Sequence, residues 1–258
     1  MSKNTPILLI LVVLIITTLT NQATFGMDNS SPRYAQVQQN IRDVDSMEED
    51  PFAVDSATIS DPIEPINRFM FAFNDRFYFY VLKPVAQTYK FILPERARIC
   101  VSNFFSNLFT PIRLTNCLLQ GKLNDASNEF ERFCLNSTYG VLGLFDPADK
   151  YWDIKLKKED FGQTLGRYGA GNGFYIVWPI LGPSSFRDSI GDVADLFVNP
   201  IYYVTDNWYE FAAVDGARIV NYTSLHIGEY EDIKKDSIDP YLTIRDAYTQ
   251  YRKGLIEK

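Results

Sequence analysis

Across 258 residues there is a single histidine, His226, and there are three cysteines, Cys100, Cys117 and Cys134. Any Ser-His or Cys-His relay would have to use His226, which lies in a helix-like stretch with no nucleophile motif beside it. The cysteines match no zinc spacing. In their apolar or helical settings they read as small buried hydrophobes, the alternative in an oxidising compartment being one disulfide with a thiol left over. A basic stripe is missing as well: the net charge is −7 and the lysines and arginines are scattered among acids, which argues against a nucleic-acid partner. Phosphate-cradling loops are not evident either. Gly169, Gly171 and Gly173 follow no strand and lead into no Gly-Lys-Ser/Thr ending, so together with Gly162 and Gly166 they read as residues for tight turns and close backbone approach. No cofactor is expected.

What is present is apolar and aromatic: hydrophobic residues make up 46% of the chain and aromatic ones 15%. Lys3 precedes an apolar run from Ile7 to Leu19, short of the roughly 20 residues needed to span a bilayer. This order matches an export signal over residues 1–26, cleaved near Met27. Residues 27–60 are rich in Ser, Asp, Glu, Gln and Asn and read as a disordered tether. One folded domain is expected over residues 61–258, starting where Pro62 and Pro65 introduce a dense aromatic run.

Helix signals dominate that domain and no stretch sustains the period-two alternation of a sheet, so the expected class is all-α. Asn124 or Asp125 can cap a helix with Ala126, Phe130, Phe133 and Cys134 on its core face. Asp239 and Pro240 begin another, with Tyr241, Ile244, Tyr248 and Tyr251 in one stripe. Pro84, Pro94 and Pro111 set off short helices at about 85–93, 95–105 and 112–120, which suit a curved or ring-like arrangement.

The segment 66–82 differs. Phe69, Met70, Phe73, Phe77 and Tyr80 form one helical face, yet Phe71, Tyr78 and Phe79 put rings on other sides. Such a helix is either buried all round or set at a lipid interface, with Glu64, Asn67, Arg68, Asn74 and Asp75 as its polar stripe. Gly140 and Gly143 flank an apolar pair before Leu144 and Phe145, which reads as a mobile loop or as a helix end closed by Gly140. Asp188, Asp192 and Asp195 share a helical face beside Arg187. A hydrolytic carboxylate pair is conceivable there, and a solvated, dipole-favoured helix start is the plainer reading.

Many ordered motifs resemble one family. They are Asp61-Pro62-Ile63-Glu64-Pro65-Ile66-Asn67-Arg68 with the aromatic run to Asn74, then Lys83-Pro84-Val85-Ala86, Ser102-Asn103-Phe104 and Leu119-Gln120-Gly121. They continue with Arg132-Phe133-Cys134-Leu135-Asn136-Ser137-Thr138, Phe161-Gly162-Gln163-Thr164-Leu165-Gly166 into Tyr168-Gly169, and Pro179 with Gly182-Pro183-Ser184. Arg187-Asp188 through Gly191-Asp192 and Asp239-Pro240-Tyr241 complete the set. From Asp61 to about Tyr251 the sequence resembles the MlaA/VacJ outer-membrane lipoproteins.

That resemblance implies a ring-like helical protein in the inner leaflet of the outer membrane, at its periplasmic face, with an amphipathic channel. The implied partners are phospholipids, a trimeric porin and a periplasmic lipid carrier, and the implied role is removal of phospholipid misplaced in the outer leaflet. It makes Gly140, Gly143, Leu144 and Phe145 gating candidates and Phe69, Met70, Phe73, Phe77 and Tyr80 lipid-contact candidates. Asn67, Asn74, Arg187, Asp188 and Asp192 are motif residues without a role. Family members carry an acylated cysteine at the mature N-terminus. No cysteine precedes Cys100 here, so an unacylated N-terminus is expected. An envelope protein of structural or adhesive role, and a hydrolase using Asp188, Asp192 and Asp195, are the alternatives to a non-enzymatic conduit.

Overall fold

The computed structural model describes residues 59–257. The expected signal peptide, and the expected tether as far as residue 58, lie outside the described residues. Ile59 and Ser60, read as tether, are part of the fold: Ile59 is buried, and Ser60 bridges Phe174 in parallel.

Twelve α-helices carry the described chain. The first, α1 (Glu64–Phe77), runs through a π-helical segment, Tyr78–Leu82, into α2 (Lys83–Ile92). The cause of the widened turn is Pro84, which has no N–H and whose ring would strike the carbonyl four residues back. A π turn absorbs the mismatch, and Lys83 N–H donates to the Tyr78 carbonyl five residues earlier. Then follow α3 (Glu95–Leu108), α4 (Thr110–Leu119), α5 (Leu123–Thr138), α6 (Pro147–Trp152) and α7 (Phe161–Arg167). Next come α8 (Phe186–Asp195), α9 (Pro200–Val204), α10 (Trp208–Leu225), α11 (Glu229–Asp236) and α12 (Pro240–Ile256). Besides α2, proline in the first turn starts five others from a non-helical residue, where its missing donor costs nothing. Side-chain caps start α7, α8 and α12: Asp160 accepts from Gln163 N–H, Ser185 from Asp188 N–H, and Asp239 from Tyr241 and Leu242 N–H.

The all-α reading holds with one addition. Between α7 and α8 lies an antiparallel hairpin, β1 (Tyr175–Trp178) and β2 (Gly182–Ser185), in register Tyr175↔Ser185 to Trp178↔Gly182. Four-residue strands are too short to display an alternation pattern, so the sequence did not reveal them. Tyr175 and Val177 point into a small core with Ile59 and Tyr241, and Met70, Phe71, Leu242 and Tyr248 pack around it. Elsewhere α2 and α3 pack on α10, α4 on α5, and α7 on α8 and α12.

The face expected for the α5 helix is corrected. Ala126, Glu129, Arg132 and Asn136 point inward, whereas Phe130, Phe133 and Cys134 are exposed. Cys100 and Cys117 are buried as expected, with burial pushing the Cys117 thiol up to about 12. Cys134 is not.

Candidate membrane and lipid interface

The α5 reversal is general. Among the described residues, twenty-four polar or charged residues are buried against twelve apolar ones, while large apolar side chains lie exposed on nearly every helix. On α1 the outward row is Ile66, Phe69 and Phe73, continued by Tyr80. On α2 it is Val85, Phe91 and Ile92, Phe91 being 91% exposed. Outward residues of α8 are Phe186, Ile190 and Val193, followed by Phe197, Tyr202, Tyr203, Trp208 and Tyr209. In water so many exposed large apolar side chains are costly, and surfaces of this kind mark contact with a partner or a membrane. Against hydrocarbon tails there is no force driving leucine inward, and polar side chains hold helices together from within. No described helix is long and apolar enough to cross a membrane, so the pattern fits amphipathic helices lying within one interface.

The interior is a connected polar network. Arg113 pairs with Glu129 at 2.7 Å, and the second oxygen of Glu129 accepts from Lys157 N–H at 2.8 Å. Asn116 donates to Asp195 at 2.8 Å and accepts from Thr164 Oγ1 at 2.8 Å. Gln120 donates to Glu159, which also takes Lys122, each at 2.8 Å. Arg252 donates to both oxygens of Asp160 at 2.6 and 2.9 Å and lies 2.8 Å from Asp188 through Nε. Buried charges persist only when paired and hydrogen-bonded, and these are. The sequence does carry a signal for them: Thr110, Arg113 and Asn116 of α4 and Gln120 just beyond its end recur at helical spacing and form a polar stripe aimed inward.

The motif asparagines now have positions. Asn67 is buried, donates to Asp61 at 2.8 Å and to the Tyr175 carbonyl at 2.9 Å, and accepts from Val177 N–H at 2.9 Å. It thus serves the free edge of β1 as a neighbouring strand would. One helical stretch on, Asn74 donates to the Trp178 carbonyl at 2.9 Å and accepts from Ile180 N–H at 2.7 Å. Of the aromatic face, Phe69, Phe73 and Tyr80 are exposed and Phe77 is half-buried, its ring stacked on Phe73 at 6.4 Å. Met70 turns inward onto the core.

Of the three acids of α8, Asp188 and Asp195 are buried and only Asp192 is exposed, so they do not form one solvated face. Asp188 is buried and held by Arg187, Arg252 and the Tyr248 hydroxyl. Burial pushes its carboxyl upward, but the Arg252 hydrogen bond and charge overcome that and hold it below the usual carboxylate range, as they do for Asp160. Asp195 accepts from Asn116 and from Phe161 N–H at 3.0 Å, and burial still lifts it to about 6. Asp192 is raised to about 6 by the protein around it and by the charges of Asp160 and Asp188, although solvent reaches its side chain. The helix lies this deep because α7 and α8 touch backbone to backbone: a Cβ on Gly191 would sit 2.3 Å from Gly162 N. His226 stacks on Tyr222 with ring centroids 4.0 Å apart and places Nδ1 2.7 Å from its carbonyl. Among the described residues no group of three His, Cys, Asp or Glu could hold a metal.

The loop after α5 is tightly built. Gly140 has an ordinary φ, but a Cβ there would lie 2.4 Å from the Asn136 carbonyl oxygen, and one on Gly143 would lie 2.4 Å from Asn107 Cβ. Both glycines are therefore required by close approach. Between them Val141 and Leu142 take left-handed φ values of 53° and 56°, a strained conformation that leaves both side chains exposed. Asn103 Nδ2 donates to the Leu144 carbonyl at 3.3 Å, and Phe145 is exposed.

A family model for the MlaA lipoprotein matches residues 59–254. The chain belongs to the MlaA family. The intermembrane phospholipid transport system lipoprotein MlaA of Escherichia coli (strain K12) is 34% identical over 200 residues, 74% of this chain and 76% of that protein. Its counterpart in Haemophilus influenzae (strain ATCC 51907 / DSM 11121 / KW20 / Rd) is 32% identical over 202 residues, 74% and 77% of the two chains. An uncharacterised protein of Rickettsia prowazekii (strain Madrid E) is 33% identical over 201 residues, 77% of this chain and 79% of that protein. A chain solved in work on the structural basis for maintenance of bacterial outer membrane lipid asymmetry aligns with a TM-score of 0.68 at 34% identity. That alignment covers 76% of this chain and 99% of that chain. The MlaA match spans α1 to α12 almost entirely, so the outward aromatic row and the inward polar network both belong to the shared region.

Proposed function

We propose that this MlaA-family chain is a phospholipid conduit at the periplasmic face of the outer membrane. It takes phospholipid misplaced in the outer leaflet and passes it to a periplasmic carrier, with no chemistry of its own. The observation that carries this reading is the inverted burial, charged networks inside and aromatic rows outside, which suits a protein bathed in lipid tails and able to offer headgroups a polar route. The names of the enterobacterial and Haemophilus relatives support the same role.

In this reading residues 1–26 direct export, residues 27–58 tether the domain, and the outward rows of α1, α2 and α8 hold it in a leaflet. A trimeric porin is the neighbour in the membrane, and the loop from Gly140 to Phe145, with Val141, Leu142 and Phe145 exposed, is the gate. Cells deprived of the protein should accumulate phospholipid on their surface and recover when it is restored, and lipid extracted from the purified protein should be phospholipid. Unchanged surface lipid together with lipid-free protein would leave a structural envelope role. Turnover of an ester or glycoside that Asp188→Asn abolishes would instead favour a hydrolase.

A further inference from the structure

The β1–β2 hairpin carries more than the core residues Tyr175 and Val177. From Phe174 through Phe186 no residue is charged. At the tip Trp178, Ile180 and Leu181 are exposed, and Ile180 adopts a left-handed φ of 69°, a conformation β-branched residues rarely take. Surrounding contacts maintain it. Asn74 receives Ile180 N–H at 2.7 Å and gives its own Nδ2–H to the Trp178 carbonyl at 2.9 Å. Leu181 N–H donates to the Pro179 carbonyl at 2.8 Å, and the Trp178 indole N–H donates to Ser189 Oγ at 2.8 Å. Pro179 itself brings no donor.

A turn facing water has no need of such provision, because water satisfies its backbone. A turn in hydrocarbon must have its polar groups paired by protein, and here the Ile180 and Leu181 N–H and the Trp178 indole N–H are paired while the side chains around them are apolar. We propose that the Trp178–Leu181 tip is an acyl-chain contact, a finger placed among the lipid tails, and that Asn74 is the positioning residue that makes its backbone fit for that surrounding. The inference rests on the membrane reading above. Tails are the occupant because the segment offers no lysine or arginine to a headgroup phosphate. Asn74 also joins the tip to the helix whose outward row includes Phe73.

The test uses the full chain with Trp152→Phe and Trp208→Phe, which leaves Trp178 as its only tryptophan. It is mixed with phosphatidylethanolamine–phosphatidylglycerol vesicles, some carrying bromine on the acyl chains. Trp178 emission should be quenched by the brominated tails and shielded from aqueous iodide. Asn74→Ala should lose that quenching and gain iodide access while the protein still floats with the vesicles and keeps its helix content. A protein that floats while Trp178 answers to iodide and not to bromine overturns the finger and leaves the membrane reading intact. Failure to float overturns both. Quenching unchanged in Asn74→Ala removes the positioning role, and if that variant fails to fold, the Trp178 measurement with Asn74 in place still decides the first claim.

Discussion

Two residues of α1 separated by one position and pointing to opposite sides of the helix, Asn67 and Phe69, should fail in opposite ways when each is given the other's character. Asn67 is 1% exposed and makes three hydrogen bonds, two of them to the free edge of β1. Asn67→Leu would leave the Tyr175 carbonyl and the Val177 N–H buried without partners. At about 1–3 kcal/mol for each stranded group, the loss is about 2–6 kcal/mol out of a total stability of roughly 5–15 kcal/mol. Phe69 is 66% exposed. With a Phe side chain burying about 200 Å² and about 25 cal/mol per Å², Phe69→Asp should forfeit ~3 kcal/mol of membrane attachment, about a hundredfold in partitioning. Urea unfolding in detergent micelles, followed by circular dichroism, reads the first effect, and vesicle flotation reads the second. If Asn67→Leu were neutral and Phe69→Asp unfolded the protein, α1 would be packed ring side inward and the inverted-burial argument would fall.

Gly191→Ala should lower stability by about 1–3 kcal/mol, because its methyl would force α7 and α8 apart; an unchanged melting temperature would refute the close crossing. Glu129→Leu strands the buried Arg113 and should cost about 3–5 kcal/mol, most of it recovered in the Arg113→Met, Glu129→Leu double variant, as a double-mutant cycle will show. Asp192 has a folded-state pKa raised to about 6 from 3.8, so its ionisation destabilises the fold progressively as pH climbs from about 3.8 to about 6. Asp192→Asn should therefore match wild type in melting temperature at the bottom of that window and exceed it by a constant margin above pH 6.

Local chemistry made much of this protein legible. Pro84, Pro94, Pro111 and Pro240 mark helix starts because proline dictates them wherever it stands, and Asp239 caps α12 for the same local reason. Ordered motifs from Asp61 onward pointed to the family. Facing was not legible. Phe130 and Glu129 occupy one helix, and hydrophobic spacing says only that they lie on different sides; which side is the inside depends on the solvent, and amphipathicity read for water gave α5 the wrong core. Likewise Asp188 and Asp195 looked solvated until the fold buried them, with Arg252, more than fifty residues later, paired to Asp188 and the Gly162–Gly191 contact drawing α8 in. The sequence by itself determined several helix starts and how polar and apolar residues are spaced along those helices, since these follow from neighbours within a turn or two. Only the tertiary structure decided which stripe faces inward, what Asn67 and Asn74 hold, and why Gly143 admits no side chain, because each depends on a partner that the chain brings back from far along its length.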